Sequence, residues 1–167
     1  FARIESSELN GLVDVNKVVE ASTRLVTSTI HSTTDKFSLN CESSLPLIQG
    51  NNQRLEQVVV NLIVNACQAL QSKEEAVVVS TQYDKGKNEV VIQVADEGVG
   101  IDDSNMSHIL DPFFTTKRNE GGTGLGLSIS SGIVKDHGGT LNFNSPPSRG
   151  TCVTLSLPVV KLENQND

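Results

Sequence analysis

The sequence predicts an α+β fold, an α/β sandwich with a mixed, largely antiparallel sheet and helices packed on one of its faces. Three observations point there. Periodicity along the chain reads helix, strand, helix, strands, helix, strands, the pattern of a layered domain with one shared core. Two alternating segments, 76–83 and 89–95, flank Asp84-Lys-Gly86-Lys-Asn88, a hairpin signal. The 53–71 stretch has a continuous apolar face at helical spacing, so it must lie on something equally apolar. At 167 residues, 37% of them hydrophobic, the chain is long enough for one compact domain with a substantial core.

Each element has a local reason. Val15, Val18, Val19, Leu25 and Val26 recur at helical spacing and predict one helix over 15–29, with Asp14 or Asn16 as N-cap. Phe37 to Cys41 alternates and predicts a strand. Asn51 or Asn52 can cap the helix over 53–71. A third helix should run from Gly124 or Leu125 to about His137 and end at Gly138-Gly139, a C-terminal cap signal. Thr140–Asn144 and Thr151–Leu157 predict two further strands joined by a Ser-Pro-Pro-Ser-Arg-Gly turn. Between Asp102 and Gly122 lies a long connection with a helical suggestion only at 104–110, and a connection of that length in a compact domain suggests a functional lid.

Composition narrows the function. With 13 Lys+Arg against 20 Asp+Glu, the net charge is -7, which argues against a broad nucleic-acid footprint. An acidic chain can still hold phosphates where backbone N–H groups and Mg²⁺ neutralise them locally. Cys41, Cys67 and Cys152 are widely separated without metal-ligand spacing and read as inert thiols of a reducing cytosol. No apolar run approaches the length of a membrane span. The chain opens on Phe1 and reads as a cytoplasmic piece of a longer polypeptide, whose parent is expected to be anchored in the inner membrane.

Four stretches carry the chemistry. On the 53–71 helix, Arg54, Gln57, Asn61, Asn65, Gln68 and Ser72 share a stripe roughly 80° wide. Asn is a poor mid-helix residue, yet Asn61 and Asn65 stand one turn apart. A carboxamide oxygen suits Mg²⁺, which keeps waters and bridges phosphates. Asp96-Glu-Gly98-Val-Gly100-Ile101 follows a strand, and its carboxylate can accept from an exocyclic amine of a base while the glycines admit close approach. Asp111-Pro-Phe113-Phe114-Thr-Thr116-Lys117 places two aromatics and a cation at the mouth of the long connection. Gly122-Thr123-Gly124-Leu125-Gly126-Leu127-Ser128 opens a helix, where N–H groups and the macrodipole favour an anion. It is neither a Walker A loop, since no Gly-Lys-Ser/Thr follows, nor a dinucleotide fingerprint, since no strand leads into it.

In this order the four stretches resemble the catalytic and ATP-binding domain of bacterial two-component sensor histidine kinases. That domain has the Bergerat fold shared with gyrase, MutL and the large heat-shock chaperone. The wording of 65–70 and 111–117 is most similar to kinases of the nitrogen-regulatory and dicarboxylate-sensing type. The resemblance covers roughly Val13 to Leu157. It implies a domain over 13–158, a linker from a removed dimerisation and histidine domain over 1–12, and a tail over 159–167. It implies ATP and Mg²⁺ as cofactors, Asn65 as the metal ligand, and Asp96 as the adenine reader, so that ATP is preferred over GTP. Gly98, Gly100 and Ile101 would line the base; Phe113, Phe114 and Thr116 would anchor the lid. Gly122, Thr123, Gly124, Leu125, Gly126 and Leu127 would cradle the phosphates, and Thr151 would assist the base through water.

Asn61 and Lys117 form the implied catalytic pair, with Lys117 or Arg118 meeting the γ-phosphate. ATPase relatives carry a water-activating Glu at the position of Asn61; an amide there favours phosphoryl transfer over hydrolysis. Where many sensor kinases place Lys or Arg, this chain has Gln68. His31, His108 and His137 lack the His-Glu-x-x-x-Pro setting of an acceptor and read as structural or surface residues. The implied partners are the kinase's own histidine-bearing domain and a response-regulator receiver domain.

Overall fold

The computed structural model describes residues 9–111, 126–146 and 150–160. Its main sheet has five strands in the order β2-β4-β5-β7-β6: β2 (Lys36–Cys41), β4 (Ala76–Asp84), β5 (Glu89–Asp96), β7 (Thr151–Pro158) and β6 (Thr140–Asn144). β2 runs parallel to β4 and the other pairings are antiparallel. The mixed, largely antiparallel sheet expected from the sequence is therefore present. Its register lines up one apolar face: Val79 opposes Val94, Val94 opposes Val153, and Ile92 opposes Leu155. Because side chains alternate along a strand, this register sends Val77, Val79, Val90, Ile92, Val94, Leu155 and Leu157 to the same side, and all are buried.

Helix α3 (Asn52–Ala69) supplies much of the opposing surface with Leu55, Val58, Val59, Leu62, Ile63, Ala66 and Cys67. Asn51 caps it, its side chain accepting from the Arg54 N–H at 3.0 Å, which satisfies one of the orphan donors of the first turn. Helix α5 (Gly126–Asp136) and helix α1 (Val15–Leu25) flank α3 and complete the core through Ile133, Val134, Val15, Val18 and Val19. Asp14 is the α1 cap, accepting from Asn16 and Lys17.

The single helix expected over 15–29 is instead two, α1 and α2 (Thr27–Thr33). They break at Val26, whose backbone leaves the helical region (φ -112, ψ 19). Thr23 and Thr27 both turn their hydroxyls onto backbone carbonyls there, competing with the helical ladder. Two three-residue strands, β1 (Gly11–Val13) and β3 (Ile48–Gly50), pair antiparallel and were not legible from alternation. β1 starts inside the stretch read as linker. The helical suggestion at 104–110 is a single short helix, α4 (Asp103–Met106), followed by turns. The helix over 53–71 stops at Ala69, so Ser72 lies past its end. Among the described residues, no helix is long and apolar enough to cross a membrane.

Candidate functional site

Asp96 is the last residue of β5, 9% exposed, between Val77 on β4 and Thr151 on β7. Its Oδ1 accepts the Gly98 N–H at 2.9 Å, bending the chain out of the sheet. The turn is fastened on both sides. Glu97 donates its N–H to the Ala76 carbonyl at 3.0 Å, and its carboxylate accepts the Ala76 N–H at 2.7 Å. Val99 donates its N–H to the carbonyl of Ala69 at 3.0 Å, satisfying an acceptor in the last turn of α3. A Cβ on Gly98 would run into that Ala69 carbonyl, so glycine is what lets the turn lie against the helix end. Asp96 is thereby held at the end of the helix that carries Asn61 and Asn65.

Both asparagines are half-buried on the polar stripe of α3, on the face adjacent to Leu62 and Ala66. Asn61 points at α5. Its Nδ2 donates to the Ser130 Oγ at 3.2 Å and to the Gly126 carbonyl at 3.4 Å. Ser130 is fully buried, so this polar contact lies inside the α3–α5 interface. The amide that the sequence placed in the catalytic pair therefore anchors the first turns of the helix that follows the glycine run. Gly126 and Leu127 open α5; Phe113, Phe114, Thr116, Lys117, Gly122, Thr123, Gly124 and Leu125 lie outside the described residues.

Among the described residues no three His, Cys, Asp or Glu side chains converge as a metal cage. The donor chemistry still fits Mg²⁺. A half-buried carboxamide oxygen at Asn65 suits an ion that takes most of its ligands from phosphates and water.

Behind Asp96, a hydroxyl network joins the turn to the β6–β7 connection. Ser145 Oγ accepts the Ile101 N–H at 2.7 Å, donates to the Gly150 carbonyl at 2.8 Å, and accepts from Thr151 Oγ1 at 3.2 Å. Gly100 and Gly150 both adopt left-handed backbone, φ 75 and φ 74. Thr151 is buried and pairs with Asp96 across β5 and β7. Sequence reading singled out neither Ser130 nor Ser145. The first sits in an apolar helix pattern and the second in a Ser-Pro-Pro turn, so neither carries a local signal.

Cys67, on α3, is buried close enough to Asp96 to feel its charge. Burial pushes its thiol up, the Asp96 charge adds to the rise, and a hydrogen bond with Thr33 opposes it. Cys41, Cys67 and Cys152 are all free.

A carboxylate in a tight turn, two half-buried amides on one helix and a helix that opens on Gly126 are thus brought to one region of the fold. Residues 50–161 match the family described as histidine kinase-, DNA gyrase B-, and HSP90-like ATPases. The chain belongs to that family and carries its ATP-binding domain. It is 40% identical over 144 residues to a putative sensor protein of Shewanella frigidimarina (strain NCIMB 400), covering 86% of this chain and 21% of that protein. It is 38% identical over 147 residues to the sensor histidine kinase ZraS of Escherichia coli (strain K12), covering 88% of this chain and 30% of the relative. The chain thus spans between a fifth and a third of the length of these two relatives. Among solved structures, full-length ShkA in complex with AMPPNP superposes with a TM-score of 0.80 at 24% identity, over 96% of this chain and 33% of that one, a likeness of fold.

Proposed function

We propose that this domain binds Mg-ATP and donates the γ-phosphoryl group to a histidine on a separate domain of the same sensor kinase. The phosphoryl group then passes to the receiver domain of a response regulator, and the work is done on the cytoplasmic side of the membrane. The observation that carries the reading is the paired placement on α3. Its last turn accepts from the turn after Asp96, and its Asn61 holds the start of α5. One helix therefore fixes the base site and the end of the phosphate loop relative to each other.

In this reading Asp96 accepts from the adenine amine, Thr151 supports it, and Asn65 ligates Mg²⁺. Gly98, Gly100 and Ile101 let backbone approach the purine. Bound Mg-ATP supplies the phosphoryl group and the cation that screens its charge. The chain's own contribution is positioning, the dominant requirement of phosphoryl transfer. Asn61 cannot take a proton from water, and both its N–H bonds are committed to α5; this supports transfer over hydrolysis.

The test is labelling with Mg-ATP radioactive at the γ-position. Alone, the domain should bind nucleotide and acquire no acid-labile phosphate. Added to the kinase's histidine-bearing domain, it should label that domain, and Asn65→Ala should abolish the labelling. Phosphate appearing on His31, His108 or His137 of the isolated domain would overturn the proposed division of labour.

A further inference from the structure

We propose that Ser145 is a positioning residue of the base site, one that sets discrimination between ATP and GTP through Asp96. The inference rests on the assignment of Asp96 as the base reader and concerns a residue to which that assignment gives no role.

A serine hydroxyl has one donor and two acceptor positions, and in Ser145 all three are used. Its partners do not belong to one local turn. Gly150 and Thr151 are 5 and 6 residues away, but Ile101 is 44 residues away on the other side of Asp96. The hydroxyl therefore ties the segment leaving Asp96 to the strand start that pairs with Asp96. Both tied segments are under tight steric control. A Cβ on Gly100 would stand 2.9 Å from the Ser145 Oγ, and a Cβ on Gly150 would collide with the Asp96 carbonyl. Each glycine is also left-handed, so neither segment has a neighbouring side chain of its own to fix it at that point.

The consequence is geometric. Asp96 Oδ1 is committed to the Gly98 N–H. A carboxylate so held discriminates an amine from a carbonyl only if the backbone opposite it stays at a fixed distance, because discrimination between bases depends on leaving the wrong base with unpaired polar groups. Removing the Ser145 hydroxyl frees the Ile101 N–H and the Thr151 hydroxyl together. The opening can then widen, and the right base loses the fit that sets it above the wrong one.

The experiment is nucleotide titration calorimetry on the 167-residue chain and on Ser145→Ala, Ser145→Thr and Asp96→Asn, with ATP and GTP, beside thermal melts. Ser145→Ala should weaken ATP binding about tenfold while GTP binding changes little, so that the ATP:GTP preference falls about tenfold. Ser145→Thr, which keeps the hydroxyl, should recover the preference to within about threefold. Equal losses for ATP and GTP in Ser145→Ala, following a lowered melting temperature, would reduce Ser145 to a structural residue and overturn the inference. Asp96→Asn separates the two claims. If it collapses the preference while Ser145→Ala leaves it intact, the positioning role is wrong and the base reader stands. If Asp96→Asn leaves the preference unchanged, the base reader is wrong and the positioning role falls with it.

Discussion

His137 receives the backbone N–H of Asn51 on its Nε2 at 3.1 Å, joining the end of α5 to the cap of α3. The other ring nitrogen, Nδ1, lies 2.7 Å from the Ile133 carbonyl and must donate to it. The two partners together define the tautomer: proton on Nδ1, lone pair on Nε2. Gly50 lies against the ring edge, where a Cβ would meet Cδ2 and Nε2. With Asn61, at the middle of α3, bonded to the first turns of α5, α5 is pinned against α3 at both of its ends.

Replacing the ring should therefore loosen the pair of helices. His137→Ala leaves a cavity and the Asn51 N–H without its acceptor, and urea denaturation should show a loss of about 2 kcal/mol or more. His137→Gln, which can still accept from Asn51, should lose less. Equal losses in the two variants would mean that the ring acts through volume alone.

The cofactor assignments make a sharper pair. Asp96→Ala should nearly eliminate ATP binding, a loss on the order of 2 kcal/mol or more from one charge-assisted hydrogen bond. Asn65→Ala should leave a nucleotide affinity that no longer responds to added Mg²⁺. Calorimetry with and without the cation reads both, and unchanged ATP affinity in Asp96→Ala would remove the adenine assignment.

Two glycines should prove intolerant for steric reasons. Gly98→Ala drives a methyl into the Ala69 carbonyl, and Gly150→Ala drives one into the Asp96 carbonyl at a left-handed backbone position. Each should lower stability by about 1–3 kcal/mol, visible as a shifted melting temperature. Gly132→Ala provides the control, since a Cβ there meets nothing within 4 Å. That helix position should be neutral or slightly stabilised.

Cys67 should be slow to react. Burial raises its thiol above the ordinary value of 9.0, with the Asp96 charge adding to the effect, so little thiolate forms near neutral pH. Alkylation of the native domain should lag far behind that of the urea-unfolded chain. The sign of the linkage follows. The unfolded state gives up this proton first as the pH passes 9, so the thiol's contribution is intact below that pH and is lost above it. Cys67→Ala should flatten the alkaline limb of a stability–pH curve.

The sequence carried the frame and the charged and amidic candidates for the site, because both leave local marks. Alternation reported β2, β4 and β5, and an apolar face at helical spacing behind an Asn cap reported α3. What it left out is long-range. β1 and β3 are three residues each, too short for a period to show, and they exist because they pair with each other. The α1–α2 break rests on threonine hydroxyls that choose carbonyls over solvent, which hydrophobic spacing does not encode. Ser130, Ser145 and His137 are ordinary residues in their own segments and gain meaning only from partners 69, 44 and 86 positions away.

Those spans bear on when the site comes into being. The hairpin of β4 and β5 closes over a handful of residues, whereas the bonds at Ser145, Asn61 and His137 each close a long loop, and the entropy of that closure must be met before they form. The β4–β5 hairpin can thus form before the site, which belongs to the finished fold. ATP then acts as a folding ligand: at a hundred times its dissociation constant it adds about 2.7 kcal/mol to the native state.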